Sequence, residues 1–338
     1  MGYVYKRQMY VYRRPGEMMI TFGASSKVAE GLETPGFVIA RFLPDLPYLV
    51  IPYREEPGEK MAAASSNSFP AESTTEEDYR KEIDAIQDAL RGNGGGKIIA
   101  SRRIVEDGIV NIPATFLELC RLHPDAFVFC FHTPMTGCWI GASPELLLES
   151  RRGLMTAMAL AGSRKAGTES SWDDKNVEEQ SMVADFVHDT LQAHGMKIES
   201  ESPFTKVAGK VEHICTMFSA EPSESQTPSS LSSLLHDLSP TPALCGLPRE
   251  TALRVIREQE KDSRGCYGGF CGPYRSPEDF TFFVNLRSAC IDVDTKRFCI
   301  YAGGGITLKS DAGKEWEETE LKATTISDSL CRMRKSTN

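Results

Sequence analysis

The 338-residue sequence is short of positive charge, and this shortage limits what the protein can bind. Its 38 lysines and arginines are outnumbered by 47 acidic residues, so the formal net charge is −9. Nonspecific nucleic-acid binding requires a positive surface that displaces counterions, so we expect no nucleic-acid partner. An acidic protein that handles an anion must instead build a local positive pocket or use a metal ion.

The sequence also lacks the cysteine spacing of a zinc site, a secretory leader and any long apolar run. Ten cysteines are present, but no CxxC pair occurs among them. Several, such as Cys130 and Cys299, lie in apolar runs, which predicts buried and reduced thiols. The N-terminus has no apolar signal-peptide core, and no apolar run approaches ~18 residues. We therefore expect a reduced, soluble, cytoplasmic protein with no membrane partner.

Apolar periodicity divides the chain into strands and helices that do not alternate strictly. Residues 3–53 alternate and are rich in β-formers, which predicts several strands. Since later strands come in hairpin-like groups, the pattern favours an α+β fold. Further strands are predicted from Lys97 and at 126–132, 137–148, 154–160, 211–217, 267–273, 280–291 and 297–304. Helices are predicted at 75–91, 113–123, 173–194, 228–236, 249–260 and 314–332.

No segment separates two domains of useful size. Residues 54–76 are rich in Pro, Gly, Ser and Ala, and this composition predicts a mobile loop. The loop comes too early in the chain to be a linker between domains. We therefore expect one large domain, in which residues 1–76 form an N-terminal β-rich part and residues 77–338 form the remainder.

Residues 314–322 place acidic and basic side chains at helical spacing, just after a run of three glycines. Glu315, Glu318 and Lys322 fall at i, i+3 and i+7, so a helix would project them from one face. A second acidic pair, Glu178-Glu179, lies on another segment with helical spacing. Carboxylates from two distant helices can hold Mg²⁺, which prefers oxygen ligands. A solvated charged face is the alternative that composition alone favours.

Eight short motifs follow one another from about residue 76 to the C-terminus. They are Lys97-Ile-Ile-Ala-Ser-Arg, Gly141-Ala-Ser-Pro-Glu-Leu-Leu-Leu, Leu160-Ala-Gly-Ser-Arg, Ser239-Pro-Thr-Pro-Ala-Leu-Cys-Gly, Tyr267-Gly-Gly, Leu286-Arg-Ser-Ala, Ala302-Gly-Gly-Gly-Ile and Glu315-Trp-Glu-Glu-Thr-Glu-Leu-Lys. In this order they resemble the chorismate-utilising enzymes, and most of all the isochorismate synthases. The resemblance implies layered, mostly antiparallel sheets flanked by helices, as in anthranilate synthase component I. It also makes residues 77–338 the chorismate-binding catalytic part.

The resemblance implies an acid and a base for the reaction. Lys97 would activate water, because the ammonia-using relatives carry an amide at this position. Glu145 would be the general acid, a carboxyl group kept protonated by apolar surroundings so that it can protonate a leaving hydroxyl. From the residues alone, Lys97 could instead be a surface lysine on a strand and Glu145 a strand-edge glutamate.

A magnesium site is also implied by the resemblance. Glu179 and Glu318 would be its ligands, and Glu315 would hold a metal-bound water. The family usually has an acidic residue three positions before Glu179, where this chain has Asn176. An amide brings less charge, so we expect a lower metal affinity and a gain in affinity from Asn176→Asp.

The substrate-binding positions carry groups suited to carboxylates. The backbone N–H groups of Gly162 and Ser163 could approach a carboxylate closely, and Arg287 offers a bidentate fork. Arg287 could equally be an ordinary strand arginine. His213 stays open between a packed core residue and a pocket residue. The implied substrate-binding set is Gly162, Ser163, Tyr267, Arg287, Gly303 and Lys322.

The resemblance therefore predicts an isomerase that adds water at C2 of chorismate and releases the C4 hydroxyl, with Mg²⁺ as cofactor. The product would feed menaquinone or siderophore biosynthesis. Salicylate synthase, which goes on to eliminate pyruvate, is the alternative enzyme, and a noncatalytic chorismate-binding or scaffold protein is the alternative from another class. Lys97 disfavours an ammonia-dependent synthase. We expect no glutamine amidotransferase partner, and a monomer.

Overall fold

Two large sheets with helices on their outer faces form the framework. This computed structural model describes residues 8–54, 69–260 and 263–332. The strands are β1 (Gln8–Arg13), β2 (Ile20–Ser25), β3 (Ala29–Glu30), β4 (Gly36–Ile39), β5 (Leu49–Pro52), β6 (Lys97–Asp107), β7 (Phe127–Thr133), β8 (Gly137–Ser143), β9 (Leu146–Arg151), β10 (Leu154–Lys165), β11 (Met196–Ser200), β12 (Phe204–Ala208), β13 (Val211–Pro222), β14 (Gly246–Leu247), β15 (Phe270–Ser276), β16 (Asp279–Val284), β17 (Ser288–Asp292) and β18 (Arg297–Ile306). The helices are α1 (Glu76–Gly92), α2 (Ile112–Leu122), α3 (Asp174–Ala193), α4 (Pro228–Leu238), α5 (Arg249–Gln259) and α6 (Ala312–Ser327).

The strands pair into an eight-stranded and a ten-stranded sheet. The order in the first is β14-β6-β18-β17-β8-β7-β1-β2. The order in the second is β11-β13-β10-β9-β16-β15-β4-β5-β3, with β12 also paired to β13. The described pairs of strands are antiparallel throughout. The predicted α+β class with layered antiparallel sheets is therefore confirmed.

The main core lies between the two sheets and is rich in stacked aromatic rings. Phe127 on β7 stacks on Phe283 on β16, with ring centroids 4.4 Å apart, and Tyr10 on β1 stacks on Phe37 on β4 at 4.9 Å. Alternate residues of β7, such as Val128, belong to a second core that α2 and α6 cover. Because successive side chains of a strand point to opposite faces, both faces of this sheet are buried.

Helices cover the outer face of each sheet and carry the acidic clusters. α1 and α5 pack on β6, α6 packs on β18, and α3 packs on β10 in the other sheet. The first turns of α1, α3 and α6 are capped by the side chains of Thr75, Asp173 and Asp311, which accept hydrogen bonds from backbone N–H groups. The ends of the six predicted helices lie within a few residues of those observed, apart from the C-terminus of α6.

Two of the predicted strands are wrong, since each is two strands in different sheets. The segment predicted at 137–148 forms β8 in the eight-stranded sheet and β9 in the ten-stranded sheet. The segment predicted at 280–291 divides in the same way into β16 and β17. Pro144 cannot donate to a strand ladder, and Arg287 has a φ of 51°, so neither segment continues as one strand. Glu145 and Arg287 lie at these two crossings between the sheets.

Two short strands, the loop before α1, the cysteines and the apolar length of the helices complete the description of the fold. Short strands β11 and β12 were not predicted, and residues 55–68 of the mobile loop expected at 54–76 lie outside the described residues. Eight of the ten cysteines are buried. No helix within residues 8–54, 69–260 and 263–332 is long and apolar enough to cross a membrane.

Candidate active site

A pocket of about 630 Å³, including its part open to solvent, lies at the two crossings between the sheets. The six residues predicted to bind substrate line it, and so do Glu145 and Glu179. The structure thus brings residues from distant parts of the sequence into one cavity.

The two crossings are joined by backbone hydrogen bonds. Val284 N–H donates to the carbonyl oxygen of Glu145 at 3.0 Å, and Ala142 N–H donates to that of Arg287 at 3.1 Å. The pairing of β8 with β17 and of β9 with β16 continues on either side. The backbones of Glu145 and Arg287 are therefore held side by side by the sheets themselves.

Glu145 is a buried carboxyl group with a strongly shifted proton affinity. Only 3% of the residue is exposed, and burial raises its pKa to about 8, although Lys97, Arg287 and the nearby hydroxyl of Thr241 act in the opposite direction. A carboxyl group with this pKa keeps its proton at pH 7 and can donate it. Glu145 does lie at the edge of a strand, directly before β9, but it is buried there.

Lys97 is buried and forms an ion pair inside the protein. It is 2% exposed, and its Nζ lies 2.6 Å from Oε1 of Glu179, so the alternative of a surface lysine is wrong. Burial alone would raise the pKa of Glu179, but Lys97, Lys322 and Lys175 lower it below its usual value. A Cβ at Gly305 would lie 2.5 Å from Cε of Lys97, so the glycine makes room for the lysine.

His213 connects Arg287 to the bulge of β10 at Gly162 and Ser163, called here the glycine loop, and the tautomer of His213 follows from its hydrogen-bond partners. Arginine can only donate, so Nε2 of His213 must accept from Arg287 Nη2, 3.1 Å away. The ring proton is then on Nδ1, which donates to the carbonyl oxygen of Gly162 at 2.8 Å. Burial, with the nearby cations, lowers the pKa of His213 to about 3, so the ring is neutral at pH 7. His213 is both packed and part of the pocket lining.

Arg287 is a buried cation whose side-chain partners in the described part of the chain are neutral. Nη1 donates to the hydroxyl of Thr325 and Nη2 donates to His213. Burial lowers its pKa to about 10, so the guanidinium group still carries its charge at pH 7. A buried charge without a counterion is costly, and an anionic ligand would remove that cost. Arg287 is therefore suited to bind a carboxylate.

Lys322 and Gly303 also line the pocket. Nζ of Lys322 donates to the carbonyl oxygen of Gly303 at 2.9 Å and pairs with Oε1 of Glu318 at 2.6 Å. A Cβ at Gly303 would lie 3.0 Å from the hydroxyl oxygen of Tyr267. The glycine thus allows the tyrosine to approach the strand.

Three carboxylates predicted for the metal each pair with a lysine. Glu315 does not face bulk solvent, since 4% of its side chain is exposed, and it accepts from the hydroxyl of Ser310 at 2.7 Å. The side chain of Glu318 is 29% exposed. The solvated-face alternative is therefore wrong for Glu315. The pairs are Glu179 with Lys97, Glu315 with Lys175, and Glu318 with Lys322.

The carboxylate oxygens of Glu179, Glu315 and Glu318 are suitable ligands for Mg²⁺, although each carboxylate is paired with a lysine in this structure. A Cβ at Gly304 would lie 3.0 Å from Glu315 Oε2, and a Cβ at Gly305 would lie 3.3 Å from Glu179 Oε1. Two carboxylates thus approach the same bare stretch of β18, which a side chain would fill. Within residues 8–54, 69–260 and 263–332, no three acidic, histidine or cysteine side chains stand close enough to hold a metal in this conformation. The oxygen ligands are of the right kind for Mg²⁺.

A sequence model of the family described as "Chorismate binding enzyme" matches residues 51–331. The chain belongs to this family. It is 29% identical over 288 residues to "Isochorismate synthase MenF" of Bacillus subtilis (strain 168), a match that covers 81% of this chain and 58% of that protein. It is 27% identical to "Vibriobactin-specific isochorismate synthase" of Vibrio cholerae, covering 74% of this chain and 66% of that protein. The chain thus spans less than two thirds of the length of either relative.

The fold of this chain matches that of a solved structure. The menaquinone-specific isochorismate synthase MenF from Escherichia coli has a TM-score of 0.81 and 19% sequence identity. The match covers 97% of this chain and 89% of that chain. At this identity the comparison shows the shared fold, including the two layered sheets.

Several candidate functional residues were not predicted from the sequence. Thr241 lies close to Glu145. It belongs to the motif that begins at Ser239, in which no functional residue was predicted. Ser310 donates to Glu315 from the loop before α6, and no pattern marked it. Lys175 pairs with Glu315, and its spacing of four residues from Glu179 was a signal that could have found it.

The expectation for the N–H group of Ser163 needs correction, whereas the metal affinity expected for Asn176 stays a prediction. Oδ1 of Asn176 accepts from the backbone N–H of Ser163 at 2.9 Å, so that N–H group is not free for a substrate carboxylate. Nδ2 of Asn176 donates to Oδ1 of Asp173 at 2.7 Å. The amide therefore joins the glycine loop to the cap of α3, a role that a carboxylate at 176 would not reproduce.

Asn176→Asp is accordingly expected to lower the free energy of unfolding by about 1 kcal/mol, since it loses a hydrogen bond and brings two carboxylates together. Urea unfolding followed by circular dichroism would measure the change. The exchanged variant Asp173→Asn/Asn176→Asp restores a donor opposite an acceptor and should recover most of the loss. A single variant as stable as the wild type would contradict this role.

Proposed function

We propose that this enzyme converts chorismate to isochorismate, adding water at C2 as the hydroxyl group leaves C4. The observation that carries the proposal is the buried carboxyl group of Glu145, whose pKa of about 8 keeps it protonated beside Lys97 and Arg287. The names of the relatives, both isochorismate synthases, support the same reaction. The menaquinone and vibriobactin relatives suggest menaquinone or siderophore biosynthesis as the destination of the product.

The pocket offers separate partners for the two carboxylates of chorismate. The N–H groups of Arg287 that do not donate to Thr325 or His213 would bind the enolpyruvyl carboxylate. Lys322 would neutralise the ring carboxylate. The hydroxyl of Ser163 can donate to the substrate, because Nδ1 of His213 already carries its own proton and does not need one from it.

Two buried residues, Glu145 and Lys97, are proposed as the acid and the base. Glu145 would protonate the departing C4 hydroxyl, and Lys97 would take a proton from the attacking water. Nζ of Lys97 lies 2.6 Å from Oε1 of Glu179, so the proposed base is in direct contact with a proposed metal ligand.

Mg²⁺ would be held by Glu179 and Glu318, with Glu315 holding a water molecule on the ion. When bound, it would clamp the ring carboxylate of the substrate and offset negative charge there. Each of these carboxylates pairs with a lysine in the metal-free protein, so the ion would have to compete with a lysine for each of them. The proposal includes a monomer that needs no glutamine amidotransferase subunit.

The test is product analysis after incubation of the protein with chorismate and Mg²⁺. Chromatography separates isochorismate from salicylate, and isochorismate is the expected product. Addition of EDTA should stop the reaction, and excess Mg²⁺ should restore it. Salicylate as the sole product, or no product under these conditions, would contradict the proposal.

Glu318→Gln is expected to raise the Mg²⁺ concentration for half-maximal rate by roughly tenfold, because it removes one charged oxygen ligand. The rate would be measured at saturating chorismate over a range of Mg²⁺ concentrations. Glu317→Gln is the matched control, since Glu317 is exposed on the same helix. If both variants titrate like the wild type, Glu318 is not a ligand.

A further inference from the structure

Lys175 is a cation at the solvent edge of the carboxylate cluster. It lies in the first turn of α3, and its Nζ is 3.1 Å from Oε1 of Glu315. Burial would lower its pKa, but Glu315, Glu179 and Glu318 together raise it. The ammonium group of Lys175 therefore interacts electrostatically with all three carboxylates that are candidates to bind the metal.

Lys175 differs from the other two lysines of the cluster in how firmly it is held. The side chain of Lys97 is 2% exposed, and that of Lys322 is 15% exposed and also donates to the carbonyl oxygen of Gly303. The side chain of Lys175 is 39% exposed. Its hydrogen bond in the described part of the chain is to Glu315 alone. Lys175 can thus leave for solvent at the lowest cost of the three.

The charges of the cluster explain why one cation should leave. Three carboxylates face three lysines, so their formal charges cancel before any metal arrives. A divalent ion added to this set would leave two positive charges in excess in a largely buried site. Excess charge of one sign is unfavourable where water is scarce. Departure of one ammonium group reduces the excess and frees an oxygen of Glu315.

We propose that Lys175 is an exchangeable counter-cation, which neutralises the carboxylate cluster in the metal-free protein and swings into solvent when a divalent ion binds. This rests on the proposed metal role of the three glutamates. Lys175 then competes with the metal and weakens its binding in the absence of substrate. The competition keeps the buried carboxylates neutralised until metal is present.

The proposal is tested by direct metal binding without substrate, with Mn²⁺ as the probe and the paramagnetic resonance signal of free Mn²⁺ as the readout. Lys175→Met should bind Mn²⁺ about tenfold more tightly than the wild type, because a positive charge a few ångströms from the ion is removed. Lys175→Arg keeps the charge and should stay within about twofold of the wild type. Lys314→Met removes an exposed lysine from the same helix as Glu315 and is the matched control.

Each outcome decides the question. A gain of threefold or more that is confined to Lys175→Met supports the exchange. Wild-type affinity in Lys175→Met, weaker binding, or an equal gain in Lys314→Met overturns it while leaving the metal site itself in place. Absence of Mn²⁺ binding in every variant overturns both this inference and the proposed metal, whereas the isomerase activity is judged separately by its products. Circular dichroism of each variant confirms that the proteins compared are folded.

Discussion

Lys97→Gln is expected to lower the rate of isochorismate formation by about 10²–10⁴-fold, the usual contribution of one well-placed base. An amide cannot take a proton from water at neutral pH, although it can fill much of the same space. Initial rates at saturating chorismate and Mg²⁺ would measure the loss. Lys197→Gln is the matched control, because Lys197 is an exposed lysine on a strand. A Lys97→Gln variant within a few-fold of wild type would show that Lys97 is not the base.

The ion pair with Glu179 requires a second variant, since the substitution also leaves a mostly buried carboxylate without its partner. Removing one member of a buried pair is destabilising, and part of the loss could reflect the fold. Lys97→Gln/Glu179→Gln removes both charges and should recover thermal stability. The double variant should remain inactive. Recovery of activity along with stability would assign Lys97 a structural role only.

Glu145→Gln is expected to lower the forward and the reverse rate by the same factor, about 10²–10⁴-fold. The reaction exchanges one allylic hydroxyl for another, so it should run in both directions, and a catalyst cannot move its equilibrium. Chorismate formation and isochorismate formation would be measured on one preparation, far below saturation. Because the protonated carboxyl group is neutral at pH 7, the glutamine removes no charge, and we expect a nearly unchanged melting temperature. A large forward loss with an intact reverse rate would refute the assignment.

The pH dependence gives an independent check on the same residue. With a pKa of about 8, Glu145 holds the proton to be donated below pH 8 and loses it above. The forward rate of the wild type should therefore fall as the pH rises through 8. The residual rate of Glu145→Gln should lack this fall, since the amide does not titrate there. The same decline in both proteins would assign it to another group.

Local sequence signals predicted the elements that present the site. The helices α1, α3 and α6 carry periodic apolar positions and begin at Thr75, Asp173 and Asp311, whose side chains cap them. Side chains at i, i+3 and i+7 do lie on one face of α6, where Glu318 pairs with Lys322. The order of motifs then predicted which distant residues would share a pocket.

Properties that depend on tertiary contacts could not be predicted from the sequence. Apolar runs such as 137–148 look like one strand, because hydrophobicity does not tell which of two sheets a residue joins. The protonation of Glu145 depends on burial and on neighbours that come from other elements. The two hydrogen-bond partners of the Asn176 amide come from the bulge of β10 and from the cap of α3, which no local pattern brings together.

The paired crossings between the sheets have a consequence for how this enzyme can change in evolution. Insertion of one residue in β8 or β17 would turn every following side chain to the other face of its sheet. Because Val284 and Ala142 bond across to the partner crossing, such a shift would displace the proton donor and the anion anchor together. Changes of chain length are thus excluded here, and new specificity must come by exchanging the side chains that line the pocket. Homologues with different reactions should therefore keep the spacing of both crossings and differ in the residues around them.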